Sequence, residues 1–315
     1  MDENLSFEEV AKQWFSDKKK TVKITTEERY KIILDRYLCP YFGKLRITDI
    51  NATLVNCFAA ESLEILNANT VSLIFCVLKS IINFAIRYGY INNIGTNYRK
   101  IHKSRVPVTV LTKRECSRLN TELNKSENLY DVGILIALNT GLRLGEICAL
   151  RWQNVDLRRK SIRVSGTVHR IQDETGKNKT RLVILSPKSE SSYREVPIPS
   201  FIHKKLSKIV SSPDLFVLSK KADKITEPRN LQRRFSTLCY RLFNRPVKFH
   251  DLRHTFATES ISQGVNEKTV CEILGHSNIT TTLSFYVGVS FDDKMRGVRK
   301  LEKAIGPQTT ENSHK

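Results

Sequence analysis

At 315 residues the chain is longer than a single hydrophobic core usually grows, so two domains are expected. Lys and Arg total 52 against 32 Asp and Glu, a formal net charge of +20 spread along the whole length; this points to a polyanion, with nucleic acid ahead of an anionic membrane surface. The seven cysteines (Cys39, Cys57, Cys76, Cys116, Cys148, Cys239, Cys271) stand singly with no CxxC pair, and no run of about 18 residues is wholly apolar. A disulfide frame, a zinc knuckle and a membrane-spanning segment are thereby excluded, leaving reduced core thiols as the expectation.

The opening, MDENLSFEEV, is acidic and has no apolar signal core, so the chain is expected to stay in the compartment where it is made. SFEEVAKQWFSDKKK reads as a helix with Ser6 and Glu9 as a capping box and Phe7, Val10, Trp14 and Phe15 near one face. TTEERYKIILDRYLCPYFG reads as a second helix, capped by threonine and stopped at Pro40 and Gly43. NANTVSLIFCVLKSIINFAIRYGY is apolar around most of a helix. Its polar residues Ser72, Lys79, Asn83 and Arg87 share one stripe, which either faces water or lies on DNA.

Residues 92–108, with Gly95, Pro107, His102 and several Lys and Arg, read as a basic linker suited to lie along DNA. Helical patterning restarts at LTKRECSRLNTEL with Thr112 as cap, and DVGILIALNTG is a buried helix ended by Gly141. KSIRVSGTVHR, TRLVILSPK and YREVPIP then read as a small antiparallel sheet, and helices resume from Phe201. In the tail, Phe291, Met295, Val298, Leu301 and Ile305 mark an amphipathic helix that packs either on its own domain or on a neighbouring subunit.

Three places put cations beside turns. In NTGLRLGEICALRW, Gly141 breaks one helix and Arg143 falls in the first turn of the next, where free amides favour an anion and Glu146 can orient the guanidinium. In FHDLRHTFATES, His250, Arg253, His254 and Ala257 share a face, joining a proton carrier to a bidentate fork for phosphate. His250 and His254 with Asp251 between them imitate HExxH, but the fixed charge of Arg253 opposes a divalent cation and the spacing identifies no third ligand. In EILGHSNITTTLSFYVG, His276 precedes Tyr286, which is either a core aromatic or a nucleophile. SPKSESSYREVPI puts Lys188 near a hairpin tip, where a lysine is usually only solvated.

Together these residues form a set suited to attack on a phosphodiester without metal. The tyrosine holds a covalent intermediate and the arginines neutralise the non-bridging oxygens. His276 adds a donor, His250 takes the phenolic proton and Lys188 protonates the leaving oxygen.

TGLRLGEICALRW, SPKSESSYREVPI, HDLRHTFAT and LGHSNITTTLSFY, in that order, resemble the tyrosine recombinases, the phage-integrase family. The resemblance covers roughly residues 110–290, and the helical first hundred residues are more loosely similar to the family's core-binding domain. It implies a mainly α fold with a small antiparallel β-sheet in two domains: a helical core-binding domain over 1–95, a basic linker over 96–109, and a catalytic domain over 110–315 with the C-terminal amphipathic helix. The implied catalytic set is Arg143, Lys188, His250, Arg253, His276 and the nucleophile Tyr286.

The implied reaction is strand exchange through a 3′-phosphotyrosine and a Holliday junction, on double-stranded DNA attachment sites within a homo-tetramer, integrating and excising a mobile element. No ATP, metal or other cofactor is expected, because the phosphotyrosine retains the bond energy. A directionality factor is admitted as a further partner, membrane is not, and the expected location is the bacterial cytoplasm, on the nucleoid. The chain opens almost directly on the first helix, which leaves arm-site binding unsupported, and Gly288 stands where the family often has a histidine. The alternatives are an Xer-like resolvase of the same family, a non-catalytic binder that uses VNEKTVCEILGHSNITTTLSFY as a helix-turn-helix, and a type IB topoisomerase. A binder needs neither Tyr286 nor Lys188.

Overall fold

The computed structural model describes residues 5–92, 101, 109–173, 176, 179–186, 193–275 and 295. The chain divides into two compact units, one of Met1–Pro107 with Arg170–Arg181 and one of Val108–His169 with Leu182–Lys315.

In the first unit, α1 (Phe7–Lys19) starts at Ser6, whose Oγ accepts from the Glu9 amide at 3.3 Å while Glu9 Oε2 accepts the Ser6 amide at 2.8 Å. Its apolar face buries Phe7, Val10, Ala11 and Trp14, and the Trp14 indole N–H donates to Ser80 Oγ at 3.0 Å. The second helix departs from the sequence reading. Lys23, not a threonine, stands at its N-cap, and α2 (Ile24–Ile33) passes through a π-helical turn, Leu34–Leu38, into α3 (Cys39–Phe42) without stopping at Pro40, though it does end at Gly43 as expected. A proline lacks an amide and crowds the carbonyl four residues back; the wider turn just before it accommodates both within a continuing helix.

Helices α4 (Ala52–Ile65) and α5 (Ala68–Arg87) complete the unit, with Phe42, Phe58 and Phe75 in ring contact. By length and composition α5 could cross a membrane, with a mean hydropathy of 1.7 over its best window. Here Val71, Ile74, Leu78, Ile81 and Ala85 enter the unit's core, while Lys79, Asn83 and Arg87 are exposed and Ser72 is half-buried.

The second unit is built around α7 (Leu129–Thr140), which is buried over nearly its whole length and packs against α6 (Lys113–Lys125), α10 (Pro228–Phe243) and α11 (Phe249–Ser262). Thr112 and Glu115 form the capping box of α6, as the sequence suggests. A paired Asp131–Arg234 fork (2.8 and 2.6 Å) joins α7 to α10, and a second fork, Glu115–Arg245 (2.9 and 2.9 Å), holds the loop after α10 against α6. Between α8 (Leu144–Cys148) and α9 (Ser200–Ile209) the described residues form five short strands.

The single expected sheet is two. β1 (Val155–Asp156), β2 (Ser161–Val164) and β5 (Arg194–Pro197) pair antiparallel with buried Ile162 opposite buried Val196, and β3 (Thr167–Gln172) with β4 (Thr180–Leu185) makes a separate ribbon. The break between β2 and β3 falls at Ser165 and Gly166, where a Cβ on Gly166 would stand 2.8 Å from the Ile184 side chain.

Only Cys148, Cys239 and Cys271 are buried thiols; Cys39 and Cys116 are half-buried, and Cys57 and Cys76 are exposed, because they fall on the outward faces of α4 and α5. The linker and the tail pattern lie outside the described residues, save Ile101, Thr109 and Met295.

Gly141 closes α7 in the left-handed region, φ +66°, and a Cβ there would stand 2.4 Å from Leu274 Cδ2 and 2.8 Å from Phe256 Cδ1. The backbone requirement and the crowding add, so Gly141→Ala is expected to cost about 2–4 kcal/mol. Gly176→Ala, also left-handed but with nothing within 4 Å, should cost only about 1 kcal/mol. Urea unfolding of both variants checks the difference.

Candidate active site

The site assembles where the end of α7, the start of α8, strand β5, α11 and the end of α12 (Glu267–Leu274) come together. α12 ends because Gly275 takes a left-handed conformation, φ +65°. Its last carbonyls would be orphans, and arginines bind them. Arg194 Nε donates to Ile273 O at 2.6 Å, Arg253 Nη2 to Leu274 O at 2.7 Å and Arg143 Nη2 to Gly275 O at 3.2 Å.

Arg143 is the N-cap of α8 rather than a residue of its first turn, because the turn released by Gly141 extends one residue further than the sequence spacing suggests. Glu146 Oε2 accepts its amide at 2.8 Å and Glu146 Oε1 accepts its Nη1 at 2.8 Å. Arg253 is 2% exposed, and its other fork nitrogen donates to Gly141 O at 2.8 Å. One arginine thus ties the end of α7 to the end of α12. Burial, then the charge of Arg143, lowers its pKa to about 9, which leaves it cationic at neutral pH.

Burial raises the pKa of Glu146, but Arg194 and then Arg143 outweigh it, so this carboxyl is held below its ordinary range. It is ionised at neutral pH and fixes the guanidiniums around it.

His250 is the second residue of α11, whose N-terminus is capped by Asp251 Oδ2 accepting the Lys248 amide at 2.9 Å. Its ring meets that of His254 edge to face, 4.6 Å between centroids at 90°. Enclosure of the ring, then the charges of His254, Arg253 and Arg143, lowers the His250 pKa to about 4. The residue as a whole is exposed, so the direction carries the argument: His250 is neutral at pH 7 and free to accept a proton. Among the described residues, no three His, Cys, Asp or Glu side chains are grouped to hold a metal ion.

Arg143, His250 and Arg253 of the sequence-derived set are therefore brought together, while Lys188, His276 and Tyr286 lie outside the described residues. Sequence reasoning passed over Arg194. Its signal was weak: the second residue of YREVPIP, six positions after Lys188, with its partners Glu146 and Ile273 distant in the chain and at no regular spacing from it.

The phage integrase family model matches residues 109–292, and the N-terminal SAM-like domain of phage integrases matches residues 6–57. The chain belongs to the phage integrase family. It is 28% identical over 260 residues to a XerC-like tyrosine recombinase of Caldanaerobacter subterraneus subsp. tengcongensis, covering 75% of this chain and 66% of that one. It also matches the transposases of transposons Tn916 and Tn1545, of which it spans about half, 52%. Among solved structures, the Tn1549 transposon integrase in complex with a circular intermediate DNA shares the fold at TM-score 0.75 and 21% identity, over 93% of this chain and 99% of that one. A lambda integrase tetramer bound to a Holliday junction does so at 0.68 and 15%, over 92% and 80%.

A histidine with a depressed native pKa contributes stability that is complete above its unfolded value of 6.5 and is lost as pH falls towards about 4. His254, also lowered, acts in the same sense. The urea midpoint should therefore fall as the pH drops from 6.5 towards 4, and His250→Gln should flatten that fall, in a denaturation series across this range.

Proposed function

We propose that this protein is a site-specific recombinase that cuts and rejoins double-stranded DNA through Tyr286, integrating and excising a mobile element. The observation that carries this reading is the arginine cluster on the last carbonyls of α12: Arg253 and Arg143 bind Leu274 and Gly275, and the next residue in the chain is His276. Two guanidiniums, Arg143 and Arg194, bond the Glu146 carboxylate, and Arg253 on the adjoining carbonyls feels its charge, so among these described residues three positive charges face one negative charge and the excess favours an anion such as phosphate.

In the reaction, the Tyr286 oxygen attacks phosphorus while His250, neutral, accepts the phenolic proton. Arg143, Arg253 and His276 hold the non-bridging oxygens. The bond to the 5′ oxygen breaks and Lys188 protonates that oxygen, giving a 3′-phosphotyrosine and a free 5′-hydroxyl. The 5′-hydroxyl of the partner strand then reverses the chemistry on the phosphotyrosine, and two such exchanges pass through a Holliday junction. The lambda integrase tetramer on a Holliday junction supports a tetrameric synapse, and the Tn1549 integrase with circular intermediate DNA supports a mobile-element substrate over chromosome-dimer resolution. We assign a helical DNA-binding domain to 1–95, a basic linker to 96–109 and the catalytic domain with its C-terminal helix to 110–315. A directionality factor would bias integration against excision.

Wild-type protein and Tyr286→Phe, each mixed with nicked duplexes cut from the source DNA and then denatured, test the reading. Adducts at one recurring sequence with wild type and none with Tyr286→Phe are expected; binding without any adduct would leave only a DNA-binding protein. The distributed net charge of +20 makes a second expectation. With six to ten phosphate contacts, affinity for the site should fall about a thousandfold or more between 50 and 200 mM salt, followed by filter binding or anisotropy.

A further inference from the structure

The Glu146 carboxylate is occupied on every side by two arginines. Each of its oxygens takes one bond from Arg143 and one from Arg194: Oε1 from Arg143 Nη1 (2.8 Å) and Arg194 Nη1 (3.1 Å), Oε2 from the Arg143 amide (2.8 Å) and Arg194 Nη2 (2.9 Å). The two side chains of the Glu146–Arg194 pair are each 6% exposed, so water competes little for these bonds. Arg194 spends its third nitrogen, Nε, on Ile273 O at 2.6 Å. A single planar fork therefore joins β5, α8 and α12, spanning 48 and 79 residues of sequence.

We propose that Arg194 is a positioning residue for DNA cleavage: by gripping both oxygens of Glu146 and the Ile273 carbonyl, it fixes the direction of the Arg143 guanidinium and the point at which α12 hands over to His276. This rests on the recombinase reading and names how its arginine site is kept in register. The same strand begins six residues after Lys188 in the chain.

The geometry requires arginine. A lysine keeps the charge but has one nitrogen, which cannot lie along a carboxylate edge and reach a carbonyl on the next element at once. With the fork lost, Glu146 keeps its burial and Arg143 but loses its strongest partner, so its carboxyl should titrate at higher pH than in the native protein. The charged groups facing it are Arg143 at the start of α8, Arg194 from β5 and, through its charge, Arg253 from α11.

The test compares wild type with Arg194→Lys, using the full chain and a nicked duplex that traps the covalent adduct, with half-site affinity and single-turnover adduct rate measured from pH 5.5 to 8.5. The expected result is affinity within about threefold of wild type, an adduct rate at least a hundredfold lower at pH 7, and a steeper rise of that rate with pH. An adduct rate within threefold of wild type at every pH would overturn the proposal. So would a parallel loss of affinity and rate, which marks a merely structural arginine. If Lys is not tolerated by the fold, Arg194→Gln, which keeps hydrogen bonds to the carboxylate without charge, is judged by the same ratio. Failure of wild type to form an adduct would overturn the recombinase reading itself, and is read separately from the variants.

Discussion

The arrangement of the second unit depends on one buried carboxylate. Glu146 sits in the first turn of a helix only five residues long, too short to hold its own position by backbone bonds alone. Its two oxygens accept four hydrogen bonds, from Arg143 and Arg194, and those arginines in turn bind the last turn of α12. Removing the carboxylate would leave two partly buried guanidiniums facing each other, a loss larger than that of any surface ion pair.

Two left-handed glycines make this geometry reachable. Gly141 ends α7 and frees its carbonyl for Arg253; Gly275 ends α12 and presents its carbonyl to Arg143. The space a side chain would take at Gly141 is filled by Leu274 and Phe256, so the two helix ends and α11 are packed against one another as well as bonded. Backbone carbonyls thereby hold part of each guanidinium, which in the proposed reaction orients the arginines before DNA arrives. Pre-orientation of donors is where electrostatic catalysis gains most, since nothing need reorganise as charge develops.

Much of this was legible in the sequence, for local reasons. Capping boxes at Ser6 and Thr112 and the stop at Gly141 follow from backbone requirements that a few adjacent residues satisfy. Arg143, His250 and Arg253 stood out because each lies in a motif of regular spacing. Pro40 misled: its effect on a helix depends on whether the preceding turn widens, and nothing in the neighbouring residues signals a π turn. Arg194 was missed because its partners, Glu146 and Ile273, are far away in the chain, and only the packing of three elements turns a strand-opening arginine into an anchor. The division of the strands into two sheets was hidden for a similar reason, since pairing partners leave no period in the sequence.

The role proposed for the arginine cluster is to meet the negative charge of a phosphodiester. Replacing the scissile phosphate by a neutral methylphosphonate removes that charge while keeping the bond to be broken. Arg143→Ala is the variant to compare, because its side chain, 36% exposed, is the least enclosed of the three arginines whose bonds form the cluster. Measured as adduct formation, Arg143→Ala should be deeply impaired on the phosphodiester and regain most of its activity on the methylphosphonate. Equal impairment on both substrates would contradict the account, because the arginine would then be serving something other than the phosphate's charge.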